Sequence, residues 1–198
     1  SKGVLSWDEV ENATTYEISI GDATNTTDDV KQDLTELITN EGSYTILVKA
    51  KNETTSSETA SYSLTAVKLP TPSTPVIESD PVTHMVKFVW TGGENTRGYL
   101  QQINDGKWVS NTETYYSISS TGTYTISVKA KSYAANDVLY LESDASEKSA
   151  TYEYQQGPVL SLDGMNLISW ASDTEFDSYN LWVNGEKLKE GVESGETG

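Results

Sequence analysis

The sequence contains one histidine, His84, which lies between the segments SDPVT and MVKFVW. A histidine that activates a nucleophile needs a serine, cysteine or aspartate held beside it, and no motif around His84 supplies one. The sequence has no cysteine, no glycine-rich phosphate loop and no His-Glu-x-x-His metal motif. With 30 acidic residues among 198, paired carboxylates arise by chance and are no signal of glycoside hydrolysis. The sequence therefore predicts a protein that is not an enzyme and uses no cofactor.

Three acidic clusters are the candidate ligands for a hard cation such as calcium. Calcium needs about six to eight oxygen ligands from a closed loop, and none of the clusters has the spacing of an EF-hand. We expect solvated acidic loops and no metal at the three clusters, which are Asp28, Asp29 and Asp33; Glu142, Asp144 and Glu147; and Asp173, Glu175 and Asp177.

Two tryptophans, Trp108 and Trp182, are candidates for binding carbohydrate or protein. In YNLWVNG, strand alternation directs Trp182 to the outer face, while Trp108 follows the turn NDGK. An exposed tryptophan is uncommon and can mark a binding patch. The alternative is that either side chain covers the gap between neighbouring structural units or packs under a loop.

The segment 132–148 is the second candidate for binding. Lys51 and Tyr62 are 11 residues apart, whereas the equivalent Lys131 and Tyr152 are 21 apart, so this loop carries a ten-residue insertion. It includes Tyr133 and Tyr140 and is unusually apolar for a solvated loop. Either the loop binds a partner through these tyrosines, or it folds back on its own domain.

The composition bounds the class of protein. Hydrophobic residues make up 35% and charged residues 22%, which is typical of a soluble globular chain. The net charge of −17 disfavours binding to nucleic acid and to anionic membranes. No apolar run reaches the roughly 18 residues needed to cross a bilayer, so we expect no membrane insertion.

An internal repeat organises the chain. Trp7, Trp90 and Trp170 lie 83 and 80 residues apart, and each is followed nine residues later by a tyrosine, namely Tyr16, Tyr99 and Tyr179. The segments GSYTILVKAKN and GTYTISVKAKS, with Tyr44 and Tyr124, repeat at the same period of 80. The chain therefore holds three copies of a unit of about 80 residues, and these eight aromatic residues are the predicted structural core.

The local pattern within each unit is that of short β-strands. YTILVKA and YTISVKA alternate apolar and polar residues with a period of two. YLQQI and YNLWV run into Asn-Asp-Gly and Asn-Gly, which favour tight hairpin turns. The segment DDVKQDLTELI is the one arguable helix, and we interpret it as loop plus strand. The fold class is all-β, with tandem immunoglobulin-like sandwiches.

The order of these features resembles the fibronectin type III family. The resemblance rests on a tryptophan strand, a tyrosine nine residues on, and the segment LTELITNEGSYTILVKAKN, which is similar to that family's tyrosine-corner strand. It implies that the hydroxyls of Tyr44 and Tyr124 bond back to the chain just upstream. The segments VENATTYEISI and SYNLWVNGEKL further resemble repeats of exported multidomain proteins of Gram-positive bacteria.

Proline-containing joints, KLPTPSTPVI and QQGPVL, divide the chain. We expect a first repeat over 1–68 that lacks its first strand, a complete second repeat over 69–157, and the N-terminal half of a third repeat over 158–198. A third copy of the GxYTI strand is due near residue 202, so we interpret the sequence as part of a longer array.

The leading interpretation of function is a non-catalytic spacer or display array of a secreted or cell-surface bacterial protein. Its partners would be neighbouring domains of the same polypeptide. One alternative is a glycan- or protein-binding adhesion module that uses the exposed tryptophans and the 132–148 loop. A second alternative is a decoration domain of a phage or virion.

Overall fold

A computed structural model describes residues 3–80, 85–162, 168–171 and 178–193. Strands dominate these residues, as predicted, and the one helical element among them is a single 3-10 turn, Leu34–Glu36. Asp33 caps this turn because its carboxylate accepts a hydrogen bond from the Thr35 amide at 3.0 Å. The interpretation of DDVKQDLTELI as loop plus strand is confirmed for Lys31–Asp33, which is a strand, whereas Leu34–Glu36 forms the 3-10 turn.

The first repeat forms two sheets that face each other. One sheet pairs β1 with β4, and the other has the order β6-β5-β2-β3. Isoleucines and leucines from both sheets and from the 3-10 turn form the core between them. The six strands are β1 Val4–Ser6, β2 Thr15–Ile20, β3 Ala23–Thr27, β4 Lys31–Asp33, β5 Gly42–Lys51 and β6 Ala60–Lys68.

The second repeat has the fuller sandwich. One sheet has the order β11-β8-β7 and the facing sheet the order β10-β9-β13, with β12 and β16 pairing beyond its end. Phe88, Ile126 and Val128 are fully buried between the sheets. The strands are β7 Val76–Ser79, β8 Val86–Val89, β9 Tyr99–Ile103, β10 Val109–Asn111, β11 Tyr115–Ile118, β12 Gly122–Tyr124, β13 Ile126–Ala130, β14 Tyr133–Ala135, β15 Val138–Leu141 and β16 Tyr152–Tyr154.

The described part of the third repeat consists of two antiparallel strand pairs. The first strand, β17, pairs with β18, and β19 pairs with β20 across the turn Asn184-Gly185. Both turn residues have positive φ, 50° and 83°, as the Asn-Gly signal predicts. The strands are β17 Val159–Leu162, β18 Ile168–Ala171, β19 Ser178–Val183 and β20 Glu186–Glu193.

Each repeat contains one tryptophan–tyrosine pair in the same arrangement. The ring centroids are 5.4, 5.6 and 5.7 Å apart and the rings are tilted or edge-to-face, the geometry that aromatic quadrupoles favour. Trp90 and Tyr99 are buried, whereas Trp7 and Trp170 are only partly buried. The nine-residue spacing therefore corresponds to one contact, repeated in the three pairs Trp7–Tyr16, Trp90–Tyr99 and Trp170–Tyr179.

A tyrosine corner is present in the first two repeats. The Tyr44 hydroxyl donates to the Asn40 carbonyl at 2.9 Å, and the Tyr124 hydroxyl donates to the Ser120 carbonyl at 2.8 Å. Gly42 precedes the first of these tyrosines with φ of 150°, so the chain turns there without a Cβ. Each corner fastens the loop to the strand that follows it.

The free edge of β13 is covered by a serine ladder that strand periodicity does not reveal. Three buried serines, Ser143, Ser146 and Ser149, recur every third residue in SDASEKSA. Each serine makes two hydrogen bonds with one residue of β13, at 2.8–3.1 Å: its backbone N–H donates to the carbonyl, and its hydroxyl accepts the backbone N–H. The pairs are Ser143 with Ala130, Ser146 with Val128 and Ser149 with Ile126. The ladder thus takes the place of an ordinary edge strand and satisfies both polar groups of each residue.

Candidate functional site at the joint between the first two repeats

The insertion after β13 forms a hairpin that leaves the second repeat and joins the first. Its strands β14 and β15 are antiparallel, with register Tyr133↔Tyr140. Asn136 and Asp137 make the turn with φ of 51° and 59°, a turn of the same kind as Asn-Gly but without glycine. Strand β15 then pairs in parallel with β6 of the first repeat, in the register Leu139↔Ala66.

The hairpin extends the larger sheet of the first repeat to six strands, in the order β14-β15-β6-β5-β2-β3. Two further backbone hydrogen bonds close its ends. The Thr65 amide donates to the Asp137 carbonyl at 3.0 Å, and the Leu69 amide donates to the Leu141 carbonyl at 3.1 Å. One continuous sheet therefore spans both repeats.

One face of β15 completes the core of the first repeat. Leu139 is 0% exposed and Leu141 is buried, and both belong to the cluster formed by Ile18, Ile46 and their neighbours. The approach is close, since a Cβ on Gly3 would lie 2.5 Å from Leu139 Cδ1. A side chain at residue 3 would therefore have to displace Leu139, and the second repeat supplies core side chains to the first.

The base of the hairpin is anchored on the second repeat by the predicted tyrosines. Tyr133 is 7% exposed and its ring stacks on Tyr140 at a centroid distance of 4.5 Å. The Tyr133 hydroxyl donates to the Asn95 carbonyl at 2.7 Å, and the Arg97 guanidinium lies 4.5 Å from the centre of its ring. Burial raises the pKa of the Tyr133 hydroxyl, although the positive charge of Arg97 opposes the rise.

These contacts place the 132–148 loop on both repeats. The Tyr133 ring is buried and its hydroxyl is hydrogen-bonded, whereas Tyr140 is partly buried. The loop does not fold back on its own domain alone, because Leu139 and Leu141 lie in the first repeat. An Asn-Asp dipeptide between two apolar segments is the signal that could have revealed the hairpin; parallel pairing with a distant strand leaves no local pattern.

Polar contacts surround the docked hairpin. The Tyr62 hydroxyl donates to the Asp137 carboxylate across the joint. This hydrogen bond, together with burial and the charge of Asp137, raises the pKa of the Tyr62 hydroxyl above its usual value. Lys68 at the end of β6 pairs with Asp144 of the second repeat at 2.7 Å.

Two residues of the second acidic cluster form ion pairs with lysines. Besides Asp144, Glu142 pairs with Lys129 at 2.9 Å, while Glu147 is exposed. Among the described residues, no group of three or more histidine, cysteine, aspartate or glutamate side chains is placed to hold a metal ion. His84 and the cluster of Asp173, Glu175 and Asp177 lie outside the described residues.

The two candidate tryptophans have different surroundings. Trp108 is partly buried, and the Lys129 ammonium lies 4.7 Å from the centre of its ring. Trp182 is 56% exposed on β19, where it lies opposite Lys187, whose ammonium is 5.8 Å from the ring centre. Trp182 is thus an accessible aromatic surface, and alternation along YNLWV predicts its outward direction.

No helix among the described residues is long and apolar enough to cross a bilayer. No protein-family model and no curated protein matches the sequence.

Solved structures with similarity to this chain are built from fibronectin type III or receptor domains. The FN1–FN3 domains of chicken CNTN1 match 76% of this chain at 13% identity, with a TM-score of 0.40, and this chain spans 58% of that fragment. The chicken interferon gamma receptor alpha chain matches 76% at 13% identity, with 90% of its length covered and a TM-score of 0.31. The central fibronectin-III array of RIM-binding protein matches 84% at 13% identity, with 72% of its length covered and a TM-score of 0.27. The strand order described above identifies the fold independently: all-β, in tandem immunoglobulin-like sandwiches.

Proposed function

We propose that this chain is a non-catalytic spacer of a secreted or cell-surface protein, in which the first two repeats act as one stiff unit. The observation that carries the proposal is the hairpin β14–β15. It supplies a sheet strand and two core leucines, Leu139 and Leu141, to the neighbouring repeat. Tandem domains joined by a linker alone move relative to each other, whereas a shared core and sheet resist bending.

The connecting segment between the repeats adds to the stiffness. Leu69 is buried beside Ala130 and Tyr133, and Pro72 and Pro75 are buried as the chain enters the second repeat. The linker is therefore part of the packed structure. The two repeats would hold the modules that flank them at a set distance and angle, while the net charge of −17 favours solubility.

Residual dipolar couplings measured by NMR test the proposal directly. If the first two repeats form one stiff body, the amides of β2 and β5 and those of β9 and β13 fit a single alignment tensor. Leu139→Asp places a charge in the first repeat's core and undocks the hairpin, so each repeat then requires its own tensor. Two tensors in the unaltered chain would contradict the proposal.

Val138→Ala is the matched control. Val138 lies beside Leu139 on the same strand but is only partly buried. Its truncation should leave one tensor.

A second candidate function is binding of glycan or protein, and the exposure of Trp182 favours it. An accessible indole next to a lysine can stack on the apolar face of a sugar ring, and aromatic side chains are enriched at binding surfaces. A glycan array probed with the chain, with Trp182→Ala and with Leu188→Ala as control tests this. Leu188 is 66% exposed on the neighbouring strand β20. Saturable binding lost only in Trp182→Ala supports the candidate, and absence of binding by the unaltered chain contradicts it.

A further inference from the structure

The sheet β11-β8-β7 of the second repeat carries an apolar row on its outer face. Val86 and Phe88 of β8 point into the core, so the next residue, Val89, points outward. Val89 lies directly opposite Val76 of β7 on one side and Tyr115 of β11 on the other. Val76 is 57% exposed and Tyr115 is 38% exposed, while Val89 between them is partly buried. These three residues form the apolar row.

The other repeats carry polar residues at the equivalent positions. Val89 directly precedes the tryptophan of its repeat, and the residues in that place in the first and third repeats are Ser6 and Ser169. Ser6 lies opposite Lys31, and Ser169 lies opposite Ser161, with their hydroxyl oxygens 2.7 Å apart. The sandwich therefore does not require apolar side chains here, and the row is a particular feature of the second repeat.

The row lies in the interior of the chain, on strands between residues 76 and 118. The inner face of the same sheet is covered by the sheet β10-β9-β13, with Phe88 and Ile126 buried between the two. Isolated apolar residues on a surface are common, whereas three in direct contact across three strands form a patch of the kind that mediates association.

The row is flanked by a balanced pair of charges. In the next row of the same face Lys87 lies opposite Glu78, with the ammonium and carboxylate 4.0 Å apart. The Lys87 ammonium also lies 5.4 Å from the centre of the Tyr115 ring, and the third residue of that row is Ser117. The two rows together carry no net charge. On a chain with a net charge of −17, this face lets two copies approach without local repulsion.

We propose that the apolar row is a contact surface between two copies of this chain, packed face to face about a two-fold axis that runs along the row. This axis places each residue of the row against the same residue of the other copy, so apolar surface meets apolar surface. It also moves the two Lys87 residues to opposite sides of the contact, about 14 Å apart, whereas an axis along β8 would place them together. The inference goes beyond the spacer function and does not rest on it.

The size of the face makes this contact weak. Three strands spaced about 4.8 Å apart, each of four residues that rise about 3.3 Å, cover about 200 Å² per copy. A stable interface buries about 800 Å² per partner, so we expect a dissociation constant of about a millimolar. Salt should strengthen the contact, because it screens the repulsion between the net charges of the two copies.

Dilution of the isotope-labelled full chain from millimolar to micromolar concentration, followed by NMR, tests the proposal. We expect the amide shifts of β7, β8 and β11 to change together with one dissociation constant, which decreases at high salt. Val76→Ser introduces the residue that position 161 carries in the third repeat, and it should weaken association about tenfold. Val109→Ser is the matched control and should leave the dissociation constant unchanged, because Val109 is 56% exposed but lies on β10 of the facing sheet.

Chemical cross-linking tests the two-fold axis. The chain has no cysteine, so Val76→Cys and Val109→Cys each carry a single thiol at a position of similar exposure. A short bismaleimide can bridge two thiols on facing sheets, which pack about 10 Å apart. At millimolar chain concentration we expect Val76→Cys to form the cross-linked dimer at least about tenfold faster than Val109→Cys.

Three results would overturn the proposal: equal cross-linking rates, amide shifts that do not depend on concentration, or association that Val76→Ser leaves intact. If chitotetraose shifts the amides of the row while dilution does not, the row is a platform for sugar and the contact between copies is refuted. Failure here leaves the dipolar-coupling result unchanged, so the two proposals fail separately.

Discussion

Leu139→Ala is expected to destabilise the first repeat, although residue 139 belongs to the second. Leu139 is 0% exposed within the first repeat's core and touches the space above Gly3. Truncating a fully buried leucine to alanine costs about 2–5 kcal/mol, through lost burial and the cavity that remains. Gly3 has no side chain that could move into the cavity, so we expect about 3 kcal/mol.

Native-state hydrogen exchange followed by NMR measures this loss separately in each repeat. A loss of about 3 kcal/mol corresponds to exchange about a hundredfold faster for the protected amides of β2 and β5 in the first repeat. Amides of β9 and β13 in the second repeat should change much less, because the hairpin's anchor at Tyr133 and Arg97 is untouched.

Val138→Ala is again the control, since its side chain is only partly buried and its loss should cost less than about 1 kcal/mol. If Leu139→Ala left exchange in β2 and β5 unchanged, or accelerated only the second repeat, the shared core would be refuted.

Three further predictions follow from single contacts. Tyr62 donates a hydrogen bond to Asp137, and its pKa is raised in the folded chain. This bond therefore stabilises hairpin docking fully below about pH 10, and the stabilisation is lost as the pH rises through the higher folded pKa. Tyr62→Phe should abolish this alkaline loss of docking, which an NMR titration measures. Ser146→Ala should lower the free energy of unfolding of the second repeat by about 1–3 kcal/mol in urea, because the Val128 amide loses its buried acceptor; an unchanged midpoint would contradict the ladder. Tyr124→Phe should cost about 1 kcal/mol by the same measurement, and a neutral result would mean that the tyrosine corner does not stabilise the loop.

Much of the fold could be predicted because its signals are local and periodic. Trp90 and Tyr99 are nine residues apart in the chain and form one aromatic contact, and Asn184-Gly185 makes the predicted turn. The joint could not be predicted in this way, because Leu139 pairs with Ala66, 73 residues earlier, in parallel. Parallel pairing needs no hairpin turn between the partners and leaves no period to find.

The serine ladder and the second tyrosine pair show a different limit. The buried serines recur every third residue, at positions 143, 146 and 149. This spacing matches neither the helix period of about 3.6 nor the strand period of about 2, so neither pattern reveals it. Tyr133 and Tyr140 give the loop an unusual apolar character, yet apolar character alone does not distinguish a binding surface from the internal ring stack that they form.

The shared core also determines the order in which the chain can fold. During synthesis the first repeat leaves the ribosome before Leu139 and Leu141 have been added to the chain. Until then one side of its core is exposed to solvent. Completion of the N-terminal repeat therefore depends on the chain that follows it, against the usual direction of domain-by-domain folding. A chain cut after the first repeat would retain an exposed apolar face and a free β6 edge, and we expect it to aggregate where the two-repeat chain does not.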